Sequence, residues 1–324
     1  MTYSRSLQGR FVSGRYTPLI LLLVSVVVWR IGALLLPASA GMLWPVYMFS
    51  VSGGVFSSIV PLFCYIAVAV ILGMLHLHER RISWFTSLYF FLSAASLFIH
   101  NDVVSAVSAV LFIALMAALL ACQPGDDAEG ALFAAFSLLG LLSFLLPQFL
   151  FLLPLFVAYL LIANISGLKR FLAAMLGLIL PFWFLFGITY VWPEVAESIP
   201  AIDRVSGCLA FPAVIEFTPL RLLLLVAELG VMLPAMMVFA TSSVPSKPFL
   251  RRRLLFMLVA NSYLLLLSIF SAPNFDMLYA WRVPGTAVFA SYLFSLKVTR
   301  YSNIYFVLFF IFWLAIAVLS VWAN

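Results

Sequence analysis

The sequence predicts an all-α protein, a polytopic bundle of transmembrane helices. Hydrophobic residues make up 66% of the 324 positions, charged residues make up 9%, and the apolar positions form long continuous runs. A soluble domain is roughly half apolar and about a quarter charged. Lipid offers no hydrogen-bond partners, so spanning segments are helices or closed barrels, and continuous apolar runs exclude the alternating pattern of a barrel.

We predict about eleven spans, because each span needs about 20 mostly apolar residues to cross the hydrocarbon layer. Two of them are joined only through Pro147 and Gln148 and form either a tight hairpin or one re-entrant element. Without that pair, nine spans remain in the same orientation. The spans form a single transmembrane domain covering residues 1–324. Their boundaries are 17–36, 58–77, 83–99, 103–122, 131–147, 149–165, 171–192, 222–242, 254–271, 283–297 and 304–322.

The basic residues predict the orientation. Most of the 17 Lys and Arg fall in connections on one side of these spans, beginning with the basic N-terminal segment 1–16. Cytoplasmic loops carry such an excess. The N-terminus is therefore expected in the cytoplasm and the C-terminus on the outer face of a bacterial inner membrane. The net charge of +6 does not indicate nucleic-acid binding, because the basic clusters are short and lie between apolar runs. The longest outer-face loop is 193–221.

Two charged residues, Arg30 and Glu228, fall within predicted spans. A charge inside a span costs several kcal/mol unless it is paired or faces water, so each is a candidate functional residue. Both lie about six residues from the outer end of a span, or about 9 Å deep, so we expect that they can meet. The alternatives are a structural ion pair, an arginine whose head reaches outward to the interface, and an Arg30 that binds an anionic head group in an outward-facing cavity.

The other candidates lie at the predicted outer surface. His100 and Asp102 form a polar turn between the third and fourth spans, which suits either a general base or cation site or simply a tight turn. Asp276 and Arg282 belong to the outer segment 271–285. That segment is either an aromatic belt at the interface or a loop that binds a sugar or lipid head group.

No motif for a catalytic centre is present. Cys64, Cys122 and Cys208 share no redox or metal-ligand spacing, and there is no phosphate-binding glycine loop, nucleophile elbow or zinc-protease pair. We expect no metal and no cofactor, and catalytic residues stay unassigned. The sequence leaves enzymatic activity open and favours its absence. Small residues spaced by four, such as Ala173 and Gly177, predict close helix packing.

The order of elements from Phe63 to about Gly187 carries a resemblance. A span ends in a basic turn, two hairpins follow, and the motifs ISGLKR and LILPFWFLFG come next. This part of the chain resembles a family of polytopic inner-membrane proteins of the Bacteroidota with no established activity, which implies a location and not a reaction. It is more distantly similar to membrane-embedded glycosyltransferases that use lipid-linked sugars. Those enzymes typically carry an essential acid in the first outer loop, whereas residues 37–57 contain none.

The leading hypothesis is an integral inner-membrane protein of the cell envelope that handles a lipid-linked or anionic lipid substrate in an outward-facing cavity. The substrate-binding candidates are those named above, since nearly all of them fall at one depth. One alternative is a degenerate lipid-sugar-dependent glycosyltransferase, and another is a membrane scaffold or assembly partner of an envelope complex. The expected partners are membrane lipids, a lipid-linked glycan or another membrane protein, and not nucleic acid.

Overall fold

The structure, a computed structural model, describes most of the chain. The described residues contain twelve α-helices, one 3-10 helix and no β-strand, which confirms the predicted all-α fold class. They are residues 7–14, 16–35, 56–75, 82–96, 99–100, 102–122, 128–165, 167–191, 218–241, 247–271, 274–296 and 299–322.

The helices are numbered in chain order, and the 3-10 helix lies between α6 and α7. Their bounds are α1 Leu7–Ser13, α2 Thr17–Leu35, α3 Phe56–Met74, α4 Ile82–Ala95, α5 Val103–Ala121, α6 Ala128–Leu145, 3-10 Pro147–Leu152, α7 Leu153–Ile162, α8 Leu168–Val191, α9 Pro219–Thr241, α10 Pro248–Phe270, α11 Phe275–Ser295 and α12 Arg300–Trp322. Prolines are the first residues of α9 and α10. The first helical position leaves its backbone N–H unpaired, so proline, which has no N–H, loses no hydrogen bond there.

Several helices are suited to a membrane. Among the described residues, five helices are long and apolar enough to cross one, namely α5, α8, α9, α10 and α12. Shorter apolar helical stretches accompany them at Thr17–Trp29, Ile59–Met74, Phe85–Ala95, Ala128–Phe144 and Pro147–Ile162. This pattern indicates an integral membrane protein with several helical spans. The number of eleven spans and the sides on which the termini lie stay predictions.

Contacts divide the chain into two compact units. Unit 1 comprises residues 1–41, 51–110 and 214–324, and unit 2 comprises residues 42–50 and 111–213. The division falls within α5. The single transmembrane domain expected from the sequence stays a prediction.

Helix α11 forms the core of unit 1. It packs against α4, α9 and α10, and every residue from Met277 to Phe294 is buried. Its sequence is less apolar than those of α4 and α9, because it carries Asp276, Arg282 and several hydroxyl groups. A helix of this composition is more stable among protein neighbours, which can pair its polar groups, than in lipid.

Contacts between helix ends fix the directions of the helices around α11. The Ser87 hydroxyl, in the first half of α4, donates to the carbonyl of Pro18 at the start of α2, at 3.1 Å. Trp29, further along α2, stacks on His100 beyond the end of α4, so α2 and α4 run the same way. The hydroxyls of Ser96, just after α4, and Tyr279, near the start of α11, share a hydrogen bond. Helix α11 therefore runs opposite to α4.

The short helix α1 ties the end of α11 to the start of α12. Gln8 is fully buried. Its backbone N–H donates to Asn303 Oδ1 at 2.9 Å, and its side-chain amide donates to the carbonyl of Phe294 at 3.0 Å. Its side-chain oxygen accepts from Ser302 at 2.9 Å. These hydrogen bonds, together with the edge contact of Phe11 on α12 aromatic rings, hold the N-terminal segment in place.

In unit 2, α6 and α8 pack with their backbones close together. A Cβ on Gly177 of α8 would lie 2.4 Å from the carbonyl oxygen of Phe133 in α6, and a Cβ on Gly140 of α6 would lie 2.8 Å from the carbonyl oxygen of Leu178. Small residues permit such an approach between membrane helices. The close packing that the sequence predicted at Gly177 is confirmed.

The outer loop predicted over 271–285 is wrong from Phe275 onward. Helix α11 begins there and continues to Ser295, so the predicted span 283–297 starts eight residues too late. The apolar run begins only at Val283 because Asp276 and Arg282 interrupt it. Neighbouring helices bury Arg282 and cover part of Asp276, so low hydropathy did not mark the end of the helix.

Three other predicted segments also differ or lie outside the described part. The predicted span 149–165 is a 3-10 turn followed by the ten-residue helix α7. Residues 36–55 between α2 and α3, and residues 193–217 of the predicted loop 193–221, lie outside the described residues. The end of that predicted loop is helical, because α9 begins at Pro219.

Candidate functional site

The charged centre of unit 1 is an ion pair between α9 and α11. Arg282 Nη2 lies 3.1 Å from Glu228 Oε2, and the two side chains are 0% and 1% exposed. Isolating either charge from water costs several kcal/mol, which the partner offsets when the geometry is good. The two charges therefore depend on each other for their place in the core.

Local sequence places both groups at this depth. Glu228 lies in the middle of α9 on the face that carries buried Leu224, Val231 and Met232, which follows the three- to four-residue spacing of a helix. Arg282 lies two turns into α11. Glu228 sits on an otherwise apolar face of α9, and Arg282 lies among buried residues of α11, so helix packing brings the two together away from water.

The pair leaves hydrogen-bonding capacity unused. Among the described residues, Arg282 Nε and Nη1 and Glu228 Oε1 have no hydrogen-bond partner. A buried donor without a partner costs about 1–3 kcal/mol, and more when it is charged. The guanidinium thus presents N–H groups that an oxygen ligand could satisfy.

Two aromatic rings support the guanidinium. Its central carbon lies 5.4 Å from the ring centroid of Phe275 and 5.7 Å from that of Tyr279. Such cation–π contacts contribute about 0.5–2 kcal/mol each. The hydrogen bond between Tyr279 and Ser96 holds the tyrosine ring in this orientation, so α4 indirectly positions Arg282.

A second ion pair joins the first turns of the same helices. Arg221 of α9 lies 3.3 Å from both carboxylate oxygens of Asp276 on α11, with side chains 29% and 41% exposed. We call this end of unit 1 the rim. Glu228 lies seven residues further along α9, which corresponds to about 10 Å. The Arg221 guanidinium also lies 5.2 Å from the Phe275 ring, so one ring serves both arginines.

A neutral polar layer follows below the buried pair. Asn261 of α10 donates to Thr286 Oγ1 at 3.3 Å and contacts Met232 Sδ at 3.2 Å. Thr286 in turn donates to the carbonyl of Arg282 at 3.2 Å. A Cβ on Gly285 would lie 2.7 Å from Asn261 Oδ1. The glycine therefore allows α10 to bring its amide against α11.

His100 is placed in the core and not at an exposed turn. Its side chain is fully buried, its ring stacks on Trp29 at 3.8 Å between centroids, and its Nε2 lies 3.0 Å from the carbonyl oxygen of Ser93. Burial lowers the pKa of His100 from 6.5 to about 4, although contacts with backbone carbonyls oppose the shift. His100 is therefore neutral near pH 7 and packs as an aromatic ring.

Asp102 has the geometry of a helix cap. Its Oδ1 accepts the backbone N–H groups of Val104 at 3.0 Å and Ser105 at 3.2 Å, and its Oδ2 accepts the Ser105 hydroxyl. A carboxylate at this position satisfies N–H groups that the first turn leaves unpaired. Asp102 thus stabilises the start of α5, which agrees with the turn interpretation.

The structure changes the expected pairing. Glu228 pairs with Arg282, which the sequence placed in an outer loop. Arg30 lies in α2, but its side chain is outside the described residues. Sequence reasoning missed Arg221 as the partner of Asp276, and it missed Phe275. The sequence did contain one signal for these pairs. Opposite charges are six residues apart in Asp276 and Arg282 and seven residues apart in Arg221 and Glu228, so they recur at similar depth on two helices.

The guanidinium of Arg282 is an anion-binding group, and Glu228 is the anion that it contacts in this structure. Within the described ranges, no group of three His, Cys, Asp or Glu side chains is placed to hold a metal ion.

Comparisons with family models, with curated proteins and with solved structures all gave no match. The resemblance to the Bacteroidota inner-membrane family therefore stays a prediction. The assignment of function depends on the geometry of the site.

Proposed function

We propose that this chain is a multi-pass inner-membrane protein of the cell envelope that binds an anionic substrate at the arginines between α9 and α11. The observation that carries the proposal is the fully buried Arg282, whose Nε and Nη1 have no hydrogen-bond partner in the part of the chain that the structure describes. The planar guanidinium matches the oxygens of a phosphate or carboxylate.

Glu228 acts as an internal substitute for the substrate anion. With Arg282 it forms a neutral pair in the closed state, so the arginine stays compensated when no ligand is bound. An incoming phosphate competes with Glu228 for the guanidinium and supplies oxygens to the free N–H groups. Bidentate contacts of this kind are stronger than a single ion pair.

Arg221 and Asp276 provide the entry point. They are partly exposed, and about 10 Å along α9 separates Arg221 from the level of the buried pair. An anion first displaces Asp276 at the rim and then meets Arg282. The distribution of basic residues in the sequence predicts that this rim lies on the outer face of the membrane, and on that orientation the substrate enters from the outer leaflet or from outside the cell.

The alternative of a membrane scaffold has its own support, because the Glu228–Arg282 pair is closed to solvent. In a scaffold protein, such a pair would do no more than lock α9 to α11. A glycosyltransferase is less favoured, because Asp102 caps α5. In the scaffold interpretation, changes at the pair alter stability alone.

Native mass spectrometry of the purified protein tests the proposal, with phosphatidylglycerol as the anionic probe and phosphatidylcholine as the neutral one. Arg282→Lys keeps the charge and loses the planar fork, so retention of the anionic lipid should fall. Glu228→Gln removes the competing carboxylate and should raise the retention of the anionic lipid. Arg221→Gln, at the partly exposed rim, should also lower retention and carries little risk of misfolding.

The matched control is Arg252→Lys, a change at an exposed arginine of α10. It should retain both lipids like the unmodified protein. Equal retention of phosphatidylglycerol by all variants would reject the proposal and leave the scaffold interpretation.

A further inference from the structure

The charge balance around Arg282 limits how an anion can bind there. In the closed state Glu228 and Arg282 form a one-to-one pair at 3.1 Å, and both side chains are buried. Arginine keeps its proton in proteins, so the positive charge of the site is constant. An added ligand with one negative charge therefore leaves two anions on one cation in a place closed to solvent, which is a costly arrangement for buried charges.

The nearest other arginine among the described residues is poorly placed to remove the excess negative charge. Arg221 at the rim is about 10 Å from Glu228 along α9, where its attraction is about a third of that at the 3.1 Å of the buried pair. Arg221 is also paired with Asp276 already. A ligand at Arg282 therefore needs its compensating positive charge close to Glu228.

Glu228 is the group that can change its charge near neutral pH. Helices α10, α11 and α12 all pack against α9. Besides Arg282, α11 presents Tyr279, whose ring lies against the guanidinium, and α12 presents Tyr305, whose hydroxyl bonds to α9. From α10 comes the uncharged Asn261, and the arginines of α10 and α12 lie in the first two turns of those helices. Tyrosine ionises only near pH 10, so the carboxylate is the group left to take up a proton.

We propose that Glu228 is a proton-binding site, and that an anion bound at Arg282 is accompanied by a proton taken up from water. This inference rests on the proposed function. The proton adds to a carboxylate oxygen of Glu228, so that the ligand anion, the guanidinium and the neutral acid together carry no net charge. The core of unit 1 thus keeps at this place the neutrality that the ion pair has in the closed state.

The same proton turns Glu228 from a competitor of the ligand into a hydrogen-bond donor. A carboxylate only accepts hydrogen bonds, whereas a protonated carboxyl group has one O–H to donate. Glu228 Oε1 has no hydrogen-bond partner among the described residues, and neither have Arg282 Nε and Nη1. The protonated site therefore offers an O–H group and the N–H groups of a guanidinium to the oxygens of one ligand.

Calorimetric titration of the detergent-solubilised protein with a short-chain phosphatidylglycerol tests the proposal. A phosphodiester keeps one negative charge across neutral pH, unlike a phosphate monoester, which has a second pKa of about 6. Titrations in Tris and in imidazole, two buffers with different heats of ionisation, count the protons taken up per lipid bound. Between about pH 6 and pH 9 the count should reach about one, and the affinity should fall by up to about tenfold for each unit of rising pH.

Three variants locate the proton. Glu228→Gln should bind the lipid without proton uptake and with an affinity independent of pH, whereas Asp276→Asn, which removes the rim carboxylate, should still take up the proton. The matched control is Glu129→Gln, the same change at an exposed position of α6, which should behave like the unmodified protein. Since Glu228→Gln costs stability, the proton counts of the unmodified protein and of Asp276→Asn decide the question if that variant does not fold.

The Arg282→Lys variant separates this inference from the proposed function. If it weakens lipid binding while the unmodified protein takes up no proton, the proton site is overturned and the anion site stands. Proton uptake that persists in Glu228→Gln, or that is lost in Asp276→Asn, also overturns the proton site. If Arg282→Lys binds the lipid as tightly as the unmodified protein, the anion does not bind at Arg282 and both proposals are overturned.

Discussion

Substitution of Glu228 by Gln isolates the contribution of the buried ion pair to stability. Glutamine keeps the shape of the side chain and removes its charge, so Arg282 is left charged in the core. Arginine does not lose its proton in proteins, which means that the charge cannot be relieved by titration. The variant therefore reports the cost of one uncompensated buried cation.

The expected cost follows from burial. Both side chains are at most 1% exposed, and removing one partner of such a pair costs about 3–5 kcal/mol. The rings of Phe275 and Tyr279 near the guanidinium recover a part of this, about 0.5–2 kcal/mol each. We expect a net loss of about 2–4 kcal/mol in the free energy of unfolding.

Equilibrium unfolding in mixed micelles, with helicity followed by circular dichroism, measures this loss. Asp276→Asn is the matched control, because the rim pair is partly exposed and should contribute less than about 1 kcal/mol. The double variant Glu228→Gln with Arg282→Met should recover most of the lost stability, since no buried charge remains. Equal losses from Glu228→Gln and Asp276→Asn, or a double variant as unstable as the two single changes combined, would refute the reasoning.

Three further predictions concern packing, pH and the N-terminal segment. Gly177→Ala should destabilise the protein by about 1–3 kcal/mol, because the added Cβ meets the Phe133 backbone, whereas Gly187→Ala on the same helix should be neutral; a thermal melt of both variants checks this. Stability should fall as the pH drops from about 6.5 to about 4, because burial holds the pKa of His100 at about 4, and His100→Gln should flatten that part of the profile of unfolding free energy against pH. Gln8→Ala removes the side-chain hydrogen bonds of a buried residue, so backbone amides of α1 should exchange hydrogen faster without a change in α10. Unchanged exchange in α1 would show that Gln8 does not hold the N-terminal segment in place.

Hydropathy predicted the helical elements where the apolar run and the helix have the same ends. The predicted span 103–122 is α5 almost residue for residue, and 304–322 falls within α12. In these helices the side chains that face lipid and those that face protein are both apolar, so composition alone marks the helix. Small residues similarly indicated the close approach at Gly177, because backbone contact requires them whatever the neighbour is.

Hydropathy failed for α11 because its polar residues face protein. Arg282 lowers the mean hydropathy of its segment, and a sequence does not show that Glu228 on another helix will neutralise it. The same limit applies to His100, whose polar character suggested a surface turn but whose ring stacks in the core on Trp29. Of the candidate residues, Glu228 and Arg282 meet in the core, and their pairing depended on packing between segments far apart in the chain.

The order of charges along α9 and α11 also specifies the register of the two helices. Helix α9 presents a cation and then an anion, whereas α11 presents an anion and then a cation. A slip of two turns in one direction would bring Arg221 against Arg282, and a slip in the other direction would bring Asp276 against Glu228. Either mismatch sets like charges against each other in a dry environment, which costs several kcal/mol. Charge order therefore opposes sliding of the two parallel helices along their apolar surfaces.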